Sequence, residues 1–191
     1  IRRMQPFQAN RHYLHTRVSE TLGLLYADHF PYRQFASARG VRRSPIHQYL
    51  AAEGACFGEV AGWERANWFL PEAAFNSGKT ASYEYSWKRQ NWFDYSAAEH
   101  RAVRQSVGLF DMSSFGKIKL VGRDAEAVLQ RIAANDVAVP VGKIVYTQFL
   151  NEAGHIEADV TITRLADEEF LVVTPAATIR RDLHWITAHI P

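Results

Sequence analysis

The chain has 191 residues, 47% of them hydrophobic and 13% aromatic, enough to bury a core in one or two domains. Lys and Arg number 22 against 20 Asp and Glu, and the resulting net charge of +2 argues against nucleic-acid and membrane-surface partners. No apolar run approaches the ~18 residues of a membrane-spanning helix, and no signal-peptide pattern follows Ile1.

In chain order, residues 10–27 place Leu14, Val18, Leu22 and Leu25 at helical spacing, which predicts a helix with an apolar stripe. His12 and His15 share that segment, but without a third ligand in view they read as surface or packing histidines, and no metal is expected. Arg39, Arg42 and Arg43 in "ARGVRR" read as a solvated or ion-paired patch rather than a phosphate site. A second helix is marked by Ser44 as cap, Pro45 in the first turn, a stripe of Ile46, Tyr49 and Leu50, and Gly54 as its stop.

Cys56, the single cysteine, excludes an internal disulfide and fits a reducing compartment. In "EGACFG", with no cationic helper in the adjoining sequence, it reads as a packing residue. Residues 55–95 read as aromatic-rich and irregular. Trp63, Trp68, Phe69, Trp87, Trp92 and Phe93 fit either a cofactor box or a core, and the core is favoured because aromatics bury large areas. Glu64 beside Arg65 suggests an internal ion pair.

Ser96 and Glu99 make a capping box ahead of a helix that Gly108 can close. "KIKLV" alternates as a strand, and Ala125, Val128, Leu129, Ile132 and Ala133 follow the pattern of a helix buried on one side. Pro140 and Gly142 then break the chain before a hairpin with strands 144–150 and 156–164 and a turn containing Gly154. Its second strand carries Ile156, Ala158, Val160 and Ile162 on one face and Glu157, Asp159, Thr161 and Thr163 on the other; the alternation alone leaves Asp159 either on a solvated face or on the wall of a site. The strand "EFLVVT" and a helix with Ile179, Leu183 and Ile186 complete an α+β fold with a mainly antiparallel sheet. The start at Ile1 and the stop at "HIP" after an amphipathic stretch read as a piece of a longer chain.

The common dinucleotide, phosphate, zinc and acyl-transfer signatures are absent from the sequence. In contrast, "GWERANWF", "RQNWFDYSAAEHRAVRQSVGLFDMSSFGKI", "ANDVAVPVGKIVYTQFLNEAGHIEADVTITRL" and "EEFLVVT" occur in an order that resembles a known group. They resemble the carboxyl-terminal half of the flavin-dependent dimethylglycine and sarcosine dehydrogenases, whose last region is similar to the glycine-cleavage T-protein, an aminomethyltransferase. On this resemblance, residues 1–56 correspond to the linking region after the FAD-dependent oxidoreductase domain, and residues 58–191 to the first, incomplete part of the T-protein-like folate-binding region.

The resemblance implies that FAD, in an upstream domain, oxidises an N-methylated amine and that tetrahydrofolate captures the one-carbon unit. It carries a catalytic and folate-binding aspartate onto Asp159 and a folate-lining tyrosine onto Tyr146. It implies a location in the bacterial cytoplasm or the mitochondrial matrix. T-proteins usually show two adjacent aspartates and a Gly-Gly turn, whereas Ala158 precedes Asp159 and His155 follows Gly154 here; Ala158 points towards the dehydrogenases. Asn135 and Asp136 match a family motif but read as turn and cap residues, and Ser113 and Ser114 read as structural. Two other functions remain open: a glycine-cleavage-type aminomethyltransferase, and a regulatory protein similar to the pyruvate dehydrogenase phosphatase regulatory subunit.

Overall fold

A computed structural model describes residues 5–30 and 33–191, which cluster into two units, 6–113 and 114–191. In the first, the Asn10 side chain accepts a hydrogen bond from the Tyr13 N–H at 3.1 Å and caps α1 (Arg11–Leu24). The expected apolar stripe is not the buried face of this helix: Val18, Leu22 and Leu25 are exposed, and Tyr13 and Arg17 are buried. Arg17 accounts for the difference. Its guanidinium donates to Glu59 at 2.7 Å and to the Ser37 carbonyl at 2.8 Å, and lies over the Phe35 ring. The helix is seated by a paired charge rather than by a row of aliphatic side chains.

Ser44 is buried but does not cap; α2 (His47–Ala52) begins after Ile46, which makes no side-chain cap bond. The segment expected to be irregular holds a hairpin of β1 (Ala55–Val60) and β2 (Trp63–Phe69), followed by α3 (Glu72–Asn76). Its two-residue turn, Ala61 and Gly62, has φ of 51° and 81°, the mirror-image turn that suits the twist of paired strands. The Glu59 carboxylate accepts the Gly62 N–H and holds that turn. The hydrophobic pattern hides β2 because one of its two buried positions is occupied by a charge, Glu64.

Glu64 pairs with Arg39, not with its neighbour Arg65 as expected: Arg39 Nε donates to Oε1 at 2.9 Å, and the Gly40 N–H donates to the same oxygen at 2.6 Å. Burial pushes the Glu64 carboxyl up, but the Arg39 hydrogen bond, the Gly40 N–H and the Arg39 charge together hold it below the ordinary range. The Arg42 backbone pairs with Trp63 in a parallel bridge, and its guanidinium lies over the Trp63 ring. Thus two of the three arginines of "ARGVRR" tie residues 39–42 to the hairpin.

The predicted capping box is also displaced. Helix α4 (Phe93–Gln105) starts after Trp92, so Ser96 lies within it, and Glu99 accepts the Phe69 N–H at 2.7 Å instead of closing a helix end. The helix is followed by Ser106, before Gly108 is reached. The core of this unit is Cys56, Trp68 and Leu70, with Phe75, Tyr83, Trp92 and Tyr95 packed on it. Trp87 and Phe93 are exposed, so only part of the aromatic cluster is core. Burial pushes the Cys56 thiol up to about 11, outweighing the Arg39 charge, which lowers it and which no neighbour in the sequence announces.

The second unit has β3 (Gly116–Val121), α5 (Ala125–Ile132), β4 (Ile144–Leu150), β5 (Ile156–Ala166), β6 (Glu169–Thr174) and α6 (Ile179–Ala188). The four strands pair antiparallel in the order β3-β6-β5-β4. Ala125, Leu129 and Ile132 of α5 and Ile186 of α6 pack with Ile118, Phe149, Ala158, Val160, Ile162, Phe170 and Val172, so both helices serve one face of the sheet. Fully burying each Val, Leu, Ile or Phe side chain among them contributes about 1.5–3 kcal/mol. On α6, Leu183 is exposed and Asp182 is buried, accepting from the Thr174 and Thr178 hydroxyls. The α+β class and the antiparallel sheet agree with expectation. Among the described residues no helix is long and apolar enough to cross a membrane.

Candidate functional site

Strands β4 and β5 pair with Gln148 opposite Asp159 and Tyr146 opposite Thr161. Side chains alternate along a strand, so Tyr146, Gln148, Asp159 and Thr161 share the face away from the helices, with Tyr146 diagonal to Asp159. The opposite parity is locked inside: Thr147, Phe149, Ala158 and Val160 are each at most 2% exposed. A one-residue slip of β5 would turn Asp159 into the core and Ala158 and Val160 out of it, so core packing fixes the register that joins the two predicted site residues.

Gln148 Nε2 donates to Asp159 Oδ1 at 3.1 Å. The Tyr146 phenol is raised above its ordinary value, first by its hydrogen bond to Asp159, then by the Asp159 charge and desolvation, against an opposing hydrogen bond from Gln148. Asp159 and Tyr146 are both exposed. Together they present a carboxylate and a phenol on an open sheet face, able to accept a proton or to hold a cationic nitrogen.

The hairpin turn is built by Asn151. Its Oδ1 accepts the N–H groups of Ala153 and His155, each at 3.0 Å, and its Nδ2 donates to Glu157 Oε1 at 2.8 Å. Gly154 takes the left-handed conformation, φ 78°, whereas among the described residues the non-glycine residues with positive φ are Ala38 and Ala61. His155 is therefore accommodated in place of a second glycine without strain. Ala158 faces the core, so its departure from a paired-aspartate pattern leaves the Asp159 face unaltered.

Asn135 and Asp136 turn the chain between α5 and β4: Asp136 Oδ1 accepts the Ala138 N–H at 2.8 Å, and the Asn135 N–H donates to Thr147 Oγ1 at 3.0 Å. Asn135 Nδ2 also reaches the Tyr146 carbonyl at 3.3 Å, steadying the strand beneath the phenol. The Ser113 N–H donates to Asp111 Oδ1 at 3.0 Å, and Ser114 is buried. His12 and His15 are exposed on α1, and among the described residues no group of three potential ligands gathers for a metal ion. Gln148 is not marked by its residue type, and it joins this face only through the ladder, which pairs it with Asp159.

Residues 46–191 match the family model described as GCVT N-terminal domain, and residues 1–44 match FAD dependent oxidoreductase central domain. The chain is 49% identical over 93% of its length to a 4-methylaminobutanoate oxidase (formaldehyde-forming) of Paenarthrobacter nicotinovorans, 34% over 81% to the mitochondrial sarcosine dehydrogenase of Homo sapiens, and 34% over 100% to the mitochondrial pyruvate dehydrogenase phosphatase regulatory subunit of Mus musculus. It spans about a fifth of the length of these relatives, 21%, 19% and 22% respectively. Among solved structures, the glycine cleavage system aminomethyltransferase T of Bartonella henselae superposes with a TM-score of 0.60 at 24% identity, covering 78% of this chain and 35% of that one, which establishes a shared fold. The chain belongs to the GCVT N-terminal domain family, in the arrangement in which that domain follows an FAD dependent oxidoreductase central domain, and represents part of such a longer protein.

Proposed function

We propose that this chain is the folate-side portion of a flavin-dependent N-methylglycine-type amine dehydrogenase or oxidase. The observation that carries the reading is the placement of Tyr146 and Asp159 on one diagonal of an exposed sheet face, in a chain similar to an oxidase and a dehydrogenase of methylated amines. Tetrahydrofolate, when bound, supplies a nucleophilic amine that captures the one-carbon unit released by amine oxidation. Asp159 takes the proton lost as that nitrogen attacks and stabilises adjacent positive charge, and Tyr146 lines the same wall. The exposure of both residues suits one wall of a site rather than an enclosed pocket.

In the same reading, FAD acts in the oxidoreductase portion of the longer protein, residues 1–56 link it to the T-protein-like region, and residues 58–191 begin that region. Residues 1–4 and 31–32 of the linking segment lie outside the described residues. The protein works in the bacterial cytoplasm or the mitochondrial matrix. The test is Asp159→Asn in the full-length protein, which is expected to cut folate-dependent one-carbon transfer about a hundredfold while leaving flavin-dependent amine oxidation largely intact. Equal loss of both activities, or of neither, overturns the assignment.

A second reading, regulation without oxidation, draws support from the alignment of the phosphatase regulatory subunit along the whole chain. Its test is methylamine turnover by the full-length protein: turnover removes the regulatory reading, and its absence with bound FAD favours it.

A further inference from the structure

We propose that Gln148 is the positioning residue of the Asp159 site, its side-chain N–H holding Oδ1 of Asp159 so that the carboxylate presents a single orientation to a ligand nitrogen. This inference rests on the folate reading above and adds the residue that aligns its base. The terminal torsion of an aspartate is broad, so an exposed carboxylate on a strand has little reason of its own to adopt one rotation. Gln148 supplies that reason. It lies directly opposite Asp159 in the ladder, where side chains on the same face meet.

Tyr146 stands two positions earlier on the same face of β4, and the amide opposes the rise that Asp159 imposes on its phenol. Gln148 is half-buried while Asp159 and Tyr146 are exposed, which makes the amide the better-fixed partner of the three. The neighbouring charges are engaged elsewhere: Glu157, two positions before Asp159 on β5, accepts from Asn151, and Arg181 of α6 donates to the Glu157 carbonyl and to Asp182. A preoriented carboxylate needs no reorganisation when the nitrogen loses its proton, whereas a freely rotating one must first be captured in the productive rotamer.

The experiment compares Gln148→Met, which keeps side-chain length and removes the donor, with Gln148→Glu, which replaces the donor by a like charge. Each is assayed in the full-length protein with tetrahydrofolate as probe, alongside Asp159→Asn. The expected result is a fall in the kcat of one-carbon transfer of about tenfold for Gln148→Met and a larger fall for Gln148→Glu, with KM for tetrahydrofolate and the rate of amine oxidation little changed. A readout independent of turnover is the ultraviolet titration of Tyr146: removing the Gln148 amide leaves the influence of Asp159 unopposed, so the phenol titrates higher in Gln148→Met than in the unaltered protein. Unchanged kcat and phenol titration in both Gln148 variants, beside a defective Asp159→Asn, overturn the role of Gln148 alone. Unaltered one-carbon transfer in Asp159→Asn overturns the folate reading and this inference with it.

Discussion

Tyr146 and Asp159 stand one diagonal step apart on facing strands, and the carboxylate draws the phenol's pKa upward by accepting its hydrogen bond and by its charge. Asp159→Asn is therefore expected to bring the Tyr146 titration back towards the ordinary tyrosine range. Difference absorbance of tyrosinate, with Tyr146→Phe as the reference that removes the signal, measures the shift; a titration unmoved by the substitution contradicts the contact.

The register that unites these residues is held from behind. Phe149 is wholly buried between α5 and the sheet, so Phe149→Ala is expected to cost about 3–5 kcal/mol through lost burial and the cavity left. Urea unfolding monitored by circular dichroism reads the loss, and a change below about 1 kcal/mol would mean that the site removes the cavity by collapse.

In residues 6–113 the corresponding support is ionic. Arg39→Ala leaves Glu64, with a side chain 4% exposed, as a buried anion without its guanidinium, and is expected to destabilise this unit by about 3 kcal/mol. The double variant Arg39→Met with Glu64→Leu is expected to recover most of that loss, because the penalty lies in the unpaired charge. Failure to recover would show that the hydrogen bonds of Glu64 with the Gly40 N–H matter more than the charge pair.

Acid weakens the same region in two steps. The folded state depresses His47, by burial first and then by the Arg43 charge, so the unfolded chain binds the extra proton and stability falls as pH drops below the ordinary histidine value of about 6.5. Glu64 is also depressed; its contribution is complete above the ordinary carboxylate value of about 4.3 and is lost as pH falls through the folded value below it. Unfolding midpoints measured across this range should lose the upper step in His47→Phe and the lower one in Glu64→Gln.

Cys56 is buried, and its thiol is pushed up to about 11, so thiol reagents near neutral pH are expected to modify it only when this unit opens. Labelling whose rate follows unfolding agrees; rapid labelling of the folded chain does not.

The 114–191 unit was almost fully legible in the sequence because its helices and strands obey their own periods: Ala125, Val128, Leu129 and Ile132 are all buried, and β6 coincides with "EFLVVT". The 6–113 unit was not, since its inward positions include Arg17 and Glu64, and a pattern of apolar residues is silent about charges that fold inward with a partner. The Ala61-Gly62 turn likewise lacks the asparagine or aspartate that usually announces such a hairpin. At the candidate site, resemblance picked out Asp159 and Tyr146, and strand register supplied Gln148, which a reading by residue type alone overlooks.

The Arg39–Glu64 pair joins residues on either side of the point where the two family models meet, 1–44 and 46–191. A seam between recognisable sequence modules is thus not a seam in the folded chain. Exchanging the oxidoreductase portion between relatives by cutting there would separate Arg39 from Glu64, whereas a chimera joined after residue 113, beyond the hairpin and its arginines, would keep the Arg17–Glu59 and Arg39–Glu64 pairs within one parent.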